Sequence, residues 1–169
     1  RAPGDRVRAH VFPREPIDNL LLSGFTGEIW LRPGIDASTA IRSAGLAQVA
    51  PRTAGVGLVL GAGNISAIPV LDVLYELLAF NRVSLLKVNP TQDDLVPVFE
   101  RALAPLIGRG LVRIVRGGGD VGAYLTAHEG IEHVHITGSA ATFDAIVWGD
   151  RDRTTDQPRL GTPITAELG

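Results

Sequence analysis

From Gly55 onward the chain repeats one pattern, and that pattern limits the folds open to it. Short apolar runs stand at Val56–Leu60, Val83–Lys87, Leu111–Val115, His133–Thr137 and Ile164–Leu168, with helix-length segments between them. Strand-length runs alternating with helical segments imply a parallel sheet with helices on its faces. The runs are nearly continuous in apolar character, as strands covered on both sides require. The expected fold class is therefore α/β: a Rossmann-like parallel sheet with helices on both faces.

Residues 1–50 read differently. "NLLLSGFTGEIWLRPG", Asn19 to Gly34, holds two apolar runs separated by small and glycine residues. These read as two strands, a short β-hairpin segment ahead of the sheet. Asp36 to Ala50 is only weakly periodic and reads as a short helix or loop. The expected division is 1–50, partial bridging strands and a linker, and 51–169, the sheet domain.

The segments between the runs carry start and stop signals. Ser66 is placed to cap the first helix, with Pro69 in its opening turn. In that helix Asp72, Tyr75 and Glu76 form the polar stripe, which leaves the remaining surface to be buried. Thr91 to Asp94, "TQDD", reads as a capping box for the second helix, which Gly108 and Gly110 end. Asp120 is placed to cap the third. The last helical pattern starts directly after Gly138-Ser139. Gly149 to Gly161 is polar and aperiodic, a surface loop.

Composition removes several function classes. With 16 Lys+Arg against 18 Asp+Glu the net charge is -2, which leaves no basic footprint for nucleic acid. No apolar run is long enough for a bilayer, and "RAPGDRVRAHVF" lacks the apolar core of a signal peptide, so no membrane partner and a cytoplasmic setting are expected. The sequence has no cysteine, so neither a disulfide nor a thiolate metal site nor a cysteine nucleophile can form within it. It also has no methionine and begins at Arg1, and is expected to be a piece of a longer chain.

The glycine loop "LGAGNIS" after the first run tests the dinucleotide fingerprint G-x-G-x-x-G. Gly61 and Gly63 fit, but Ser66 stands where the third glycine belongs, and the next run ends in Lys87 where an acidic residue would bind ribose. A tight strand-to-helix turn is the competing reading of the half match. Lys87 at the end of a strand can bind ribose hydroxyls or a phosphate, or simply be solvated. His133 and His135, two apart on a strand, share one face, but no third ligand has useful spacing, so no metal site is expected.

Taken in order, "GAGNIS", "LLKVNP", "RGGGDVGAYL" (Arg116 to Leu125), "HVHITGSAAT" (His133 to Thr142) and "TAELG" (Thr165 to Gly169) resemble the aldehyde dehydrogenase superfamily over roughly Gly55 to Gly169. The resemblance implies roles for particular residues. Asn64 would donate to the oxyanion of a thiohemiacetal formed on a cysteine; a turn or helix-cap asparagine is the competing reading. Lys87 would contact the adenosine ribose. Pro90 stands where the family often has a glutamate for the same ribose, so the cofactor is NAD or NADP. Gly119 and Gly122 would let the backbone approach the adenine side, and Gly138 with Ser139 would receive the pyrophosphate at a helix start. Glu167 would serve as general base, against the alternative of a solvent-facing glutamate.

The resemblance also places the nucleophilic cysteine in a second domain that follows "TAELG". The chain is then expected to be the cofactor-binding part of a homo-oligomeric parent enzyme, inactive alone, whose partner is a small-molecule aldehyde or acyl substrate. Two other functions fit the residues: a conventional Rossmann dehydrogenase or reductase domain, and a noncatalytic nucleotide-binding module.

Overall fold

Pro16 decides the local structure of the N-terminal stretch. The computed structural model of the chain describes residues 3–43 and 54–169. These fall into two units, Arg1–Gly45 and Leu46–Gly169. In the first, strand β1 (Arg8–Phe12) pairs antiparallel with β2 (Gly27–Trp30), helix α1 (Pro16–Leu21) lies between them in sequence, and α2 (Ala37–Ser43) follows. A two-stranded antiparallel sheet is therefore present, but it is not built from the two adjacent apolar runs. The first run, Asn19–Leu22, belongs to α1 and its C-cap. Proline at the start of α1 has its φ set for a helix, and the Asp18 carboxylate accepts from the backbone N–H of Glu15 at 3.0 Å and of Arg14 at 2.8 Å. The leucines continue the helix that this cap begins, and β2 finds its partner upstream. Residues 44–50 of the weakly periodic stretch, and the expected boundary at residue 50, lie outside the described residues.

The second unit is a five-stranded sheet in which every neighbouring pair is parallel. Its strands are β3 (Val56–Leu60), β4 (Val83–Lys87), β5 (Val112–Val115), β6 (His133–Gly138) and β7 (Ile164–Leu168), in the order β5-β4-β3-β6-β7. Successive side chains of a strand point to opposite faces. One face carries Val59, Leu86 and Val112, packed with Val73 of α3 (Ile68–Phe80) and with Val96 and Phe99 of α4 (Val96–Ala102). The other carries Leu58, Leu60, Val134 and Ile136, packed with Leu125 of α6 (Gly119–Thr126) and with Phe143 and Ile146 of α7 (Ala140–Val147). The short α5 (Ala104–Ile107) leads into β5. Helices cover both faces, as the apolar runs require.

Chain order then fixes where a site forms. The chain moves outward from β3 to β4 and β5, and returns to place β6 on the other side of β3. The connections leave the carboxyl ends of β3 and β6 in opposite directions, which opens a crevice there.

Several helix starts differ from the sequence reading. Ser66 lies in a turn closed by Ile68 N–H to Ile65 O at 3.3 Å, so α3 begins two residues later with Ala67 as its cap and Pro69 in the first turn. Pro90–Leu95 forms a 3₁₀ turn capped by Asn89, whose side chain accepts from the Thr91 N–H at 3.1 Å. The residue before a proline is held extended, which is the cap conformation, so Asn89 takes the role expected of Thr91. Gly118 caps α6, and Asp120 sits inside its first turn. Gly108 caps α5, and the Ser139 side chain caps α7 by accepting from the Thr142 N–H at 3.2 Å.

The largest difference lies in α3. Its acidic residues face the sheet: Glu76 is 1% exposed, while Leu71, Tyr75 and Leu78 are 61%, 59% and 68% exposed. Among the described residues no helix is long and apolar enough to cross a membrane.

Candidate functional site

The crevice at the carboxyl ends of the strands holds a cavity of about 830 Å³. Its lining includes Asn64, Lys87, Gly119, Gly122, Gly138, Ser139 and Glu167, the seven residues singled out in the sequence. They come from five segments: the turn after β3, the end of β4, α6, the β6–α7 junction and β7. The volume suits a dinucleotide-sized ligand.

Lys87 ends β4 opposite Leu60 and is 7% exposed. Burial pulls its ammonium group below the ordinary lysine value, and the charges of Asp93 and Asp120 push it back up. A buried cation beside a cavity is costly without a partner, so this lysine suits an anionic or hydroxyl-rich ligand. At Gly119 and Gly122 an added Cβ would meet nothing within 4 Å. The backbone of α6 therefore faces open space, which a flat ring could occupy closely.

Gly138 ends β6 and Ser139 caps α7, and with Thr142 they bring the positive end of that helix to the cavity wall. The Ser139 hydroxyl already serves Thr142, by its N–H at 3.2 Å and its Oγ1 at 3.0 Å. Asn64 is exposed in the turn after β3, and Glu167 pairs in register with Thr137 and is exposed at the rim. Gly61 is tightly held: an added Cβ would stand 3.3 Å from Leu86 Cδ1 and from Pro69. Its N–H donates to Lys87 O at 3.0 Å. That geometry is the close strand-to-helix turn weighed against the phosphate fingerprint.

The sequence reading missed two groups. Arg159, from the polar connector, lines the cavity and donates through Nη2 to Ala145 O at 3.2 Å and Ile146 O at 3.4 Å. The second group is a buried polar network under α3. His133 Nδ1 is 2.7 Å from Glu76 Oε1, and Arg82 Nη1 is 3.1 Å from Glu76 Oε2. His135 Nδ1 lies 2.8 Å from Thr165 Oγ1 and its Nε2 3.5 Å from Asp72 Oδ1, while Thr137 Oγ1 donates to Asp72 Oδ2 at 3.2 Å.

Partners in the sheet make burial of the acidic stripe tolerable and turn α3 over. The signal was present as spacing: two acids four apart on a helix share one face, as do two histidines two apart on a strand. The hydrogen bond to Asp72 raises the His135 pKa above the ordinary histidine value despite burial. Gly57 makes room for this network, because an added Cβ would lie 2.5 Å from Glu76 Oε2. No cluster of three metal-ligating side chains occurs among the described residues.

No protein-family model and no curated protein matches the chain. Solved structures do. A 3,6-anhydro-L-galactose dehydrogenase in complex with NAP aligns over 68% of this chain at 24% identity and a TM-score of 0.52. Proline utilization A from Bradyrhizobium japonicum, mutant D779W, aligns over 68% at 26% identity and a TM-score of 0.50. An aldehyde dehydrogenase from Mycobacterium tuberculosis complexed with NAD+ aligns over 69% at 24% identity and a TM-score of 0.49. The chain spans 23%, 12% and 23% of the lengths of these proteins. What the chain shares with these structures is the fold, a parallel sheet with helices on both faces, over about two thirds of its length.

Proposed function

We propose that the second unit binds a nicotinamide dinucleotide, NAD or NADP, for an aldehyde dehydrogenase-like oxidoreductase acting on a small aldehyde or acyl substrate. One observation carries this reading. Lys87, the open glycines of α6 and the start of α7 surround one cavity of suitable size at the switch point, with Asn64 and Glu167 on the same lining. The residues fit the group chemically. Lys87 would hold the adenosine ribose, Gly119 and Gly122 the adenine side, and the Gly138–Ser139 junction the pyrophosphate. When bound, the nicotinamide supplies a hydride acceptor or donor.

Asn64 would donate its side-chain amide to the oxygen of the reacting carbonyl, a contribution on the order of 3 kcal/mol to the barrier. Glu167 would take a proton from the water that releases the acid. The covalent step needs a cysteine thiolate, which these 169 residues do not contain and another part of the enzyme would supply.

Calorimetric titration of the chain with NAD and with NADP tests the reading. Saturable binding that weakens about tenfold or more in Lys87→Ala is expected, from the loss of hydrogen bonds to a charged group. Binding unaffected by the substitution, or no binding by a folded chain, contradicts it.

A further inference from the structure

The turns that follow β3 and β4 are fastened together twice. At their base the Gly61 N–H donates to Lys87 O at 3.0 Å. At their tips Thr91 Oγ1 donates to Gly63 O at 2.9 Å, across 28 residues of sequence. Thr91 Oγ1 also lies 3.0 Å from Asn89 Oδ1, which accepts from the Thr91 N–H at 3.1 Å. A hydroxyl has one proton, which serves Gly63 O or Asn89 Oδ1; Asn89 Oδ1 already accepts from the Thr91 N–H, and Gly63 O is the nearer of the two acceptors.

The fit is close. An added Cβ at Gly63 would stand 2.8 Å from Asn89 Nδ2 and 3.0 Å from Thr91 Oγ1, so no side chain fits there without moving one of them. Gly63, Asn64, Lys87, Asn89 and Thr91 all line the cavity. The β4 turn thus carries Lys87 at one end and the clasp at the other, and the clasp grips the residue directly before Asn64.

We propose that Thr91, held by Asn89, is a positioning residue that ties the Asn64 turn to the Lys87 turn, so that a nucleotide seated at Lys87 fixes where the Asn64 amide points. The inference rests on the nucleotide reading above. Asn64 is exposed in its turn, and no polar partner orients its side chain among the described residues, which leaves the amide rotational freedom. A bond from the neighbouring turn narrows that freedom at the position that needs a fixed donor, and preorganisation is what gives an oxyanion donor its effect.

The test is a titration of the ¹⁵N-labelled chain with NAD, or with NADP if that binds tighter, followed by NMR. In the wild type, the backbone amides of Gly63 and Asn64 and the Asn64 side-chain amide shift with the same Kd as the amides near Lys87. In Thr91→Val the nucleotide binds within about threefold of the wild-type Kd, yet the Gly63 and Asn64 response falls by more than half. Thr91→Ser, which keeps the hydroxyl, restores it. A full Asn64 response in the valine variant overturns the proposal. So does loss of nucleotide binding in that variant, which would place Thr91 in the binding site itself. Absence of binding by the wild-type chain is a separate result: it refutes the nucleotide reading, whereas a bound nucleotide whose effect stops at Lys87 refutes only the clasp.

Discussion

Replacing Glu76 by glutamine isolates what the buried network contributes. Glu76 is 1% exposed, and its two oxygens lie 2.7 Å from His133 and 3.1 Å from Arg82. Glutamine keeps the volume and removes the charge. Its amide then turns an N–H₂ toward one of two groups that had an acceptor, and Arg82, whose side chain is 14% exposed, loses its counter-ion. Breaking a buried ion pair by removing one partner costs about 3–5 kcal/mol. Arg82 keeps some water and sits 4.9 Å above the Phe80 ring, which places the cost at the low end, about 3 kcal/mol.

Urea unfolding followed by circular dichroism measures this loss as a lower midpoint at unchanged slope. The pH dependence supplies a second check. Burial pushes the Glu76 carboxyl up, but the hydrogen bonds and charges of His133 and Arg82 outweigh it, so its folded pKa lies below the ordinary glutamate value of 4.5. A carboxyl with a depressed folded pKa contributes stability that is present above 4.5 and lost as pH falls through the folded value. Glu76→Gln should therefore flatten the acid side of the stability profile. A loss under about 1 kcal/mol, or an unchanged acid limb, would refute the reasoning.

His135 should act with the opposite sign. Its folded pKa is raised by Asp72, so its contribution is complete below the ordinary histidine value of 6.5 and disappears as pH rises through the folded pKa; His135→Gln should remove that alkaline decline in denaturant midpoint. Gly61→Ala should cost about 1–3 kcal/mol in thermal or urea unfolding, because its Cβ would stand 3.3 Å from Leu86 and Pro69. Ser139→Ala should cost about 1 kcal/mol from the lost cap of α7, read by the same unfolding experiment.

The sheet was legible because buried parallel strands leave an unbroken apolar record, and Val56–Leu60 and Val83–Lys87 coincide with β3 and β4. Seven of the residues that line the cavity stood out in the sequence by resemblance, since glycines and single polar residues at strand ends keep their order along the chain. Two features were not legible, because each depends on partners distant in sequence. Asn19–Leu22 is apolar enough for a strand, and only the cap at Pro16 and Asp18 makes it helical. Asp72 and Glu76 look like an exposed stripe until His135, His133 and Arg82 are brought beneath them, after which Leu71, Tyr75 and Leu78 are left outside. Arg159 was hidden in a loop with no periodicity to mark it.

A crystal structure of the chain with NAD or NADP, whichever binds tighter, tests the central claim most directly, because it locates the pyrophosphate. The account predicts it within hydrogen-bonding distance of the first turn of α7, beside Gly138 and Ser139, with the adenosine ribose at Lys87. A pyrophosphate on the first turn of α3, after Gly63, would contradict it and make the domain a conventional dinucleotide fold.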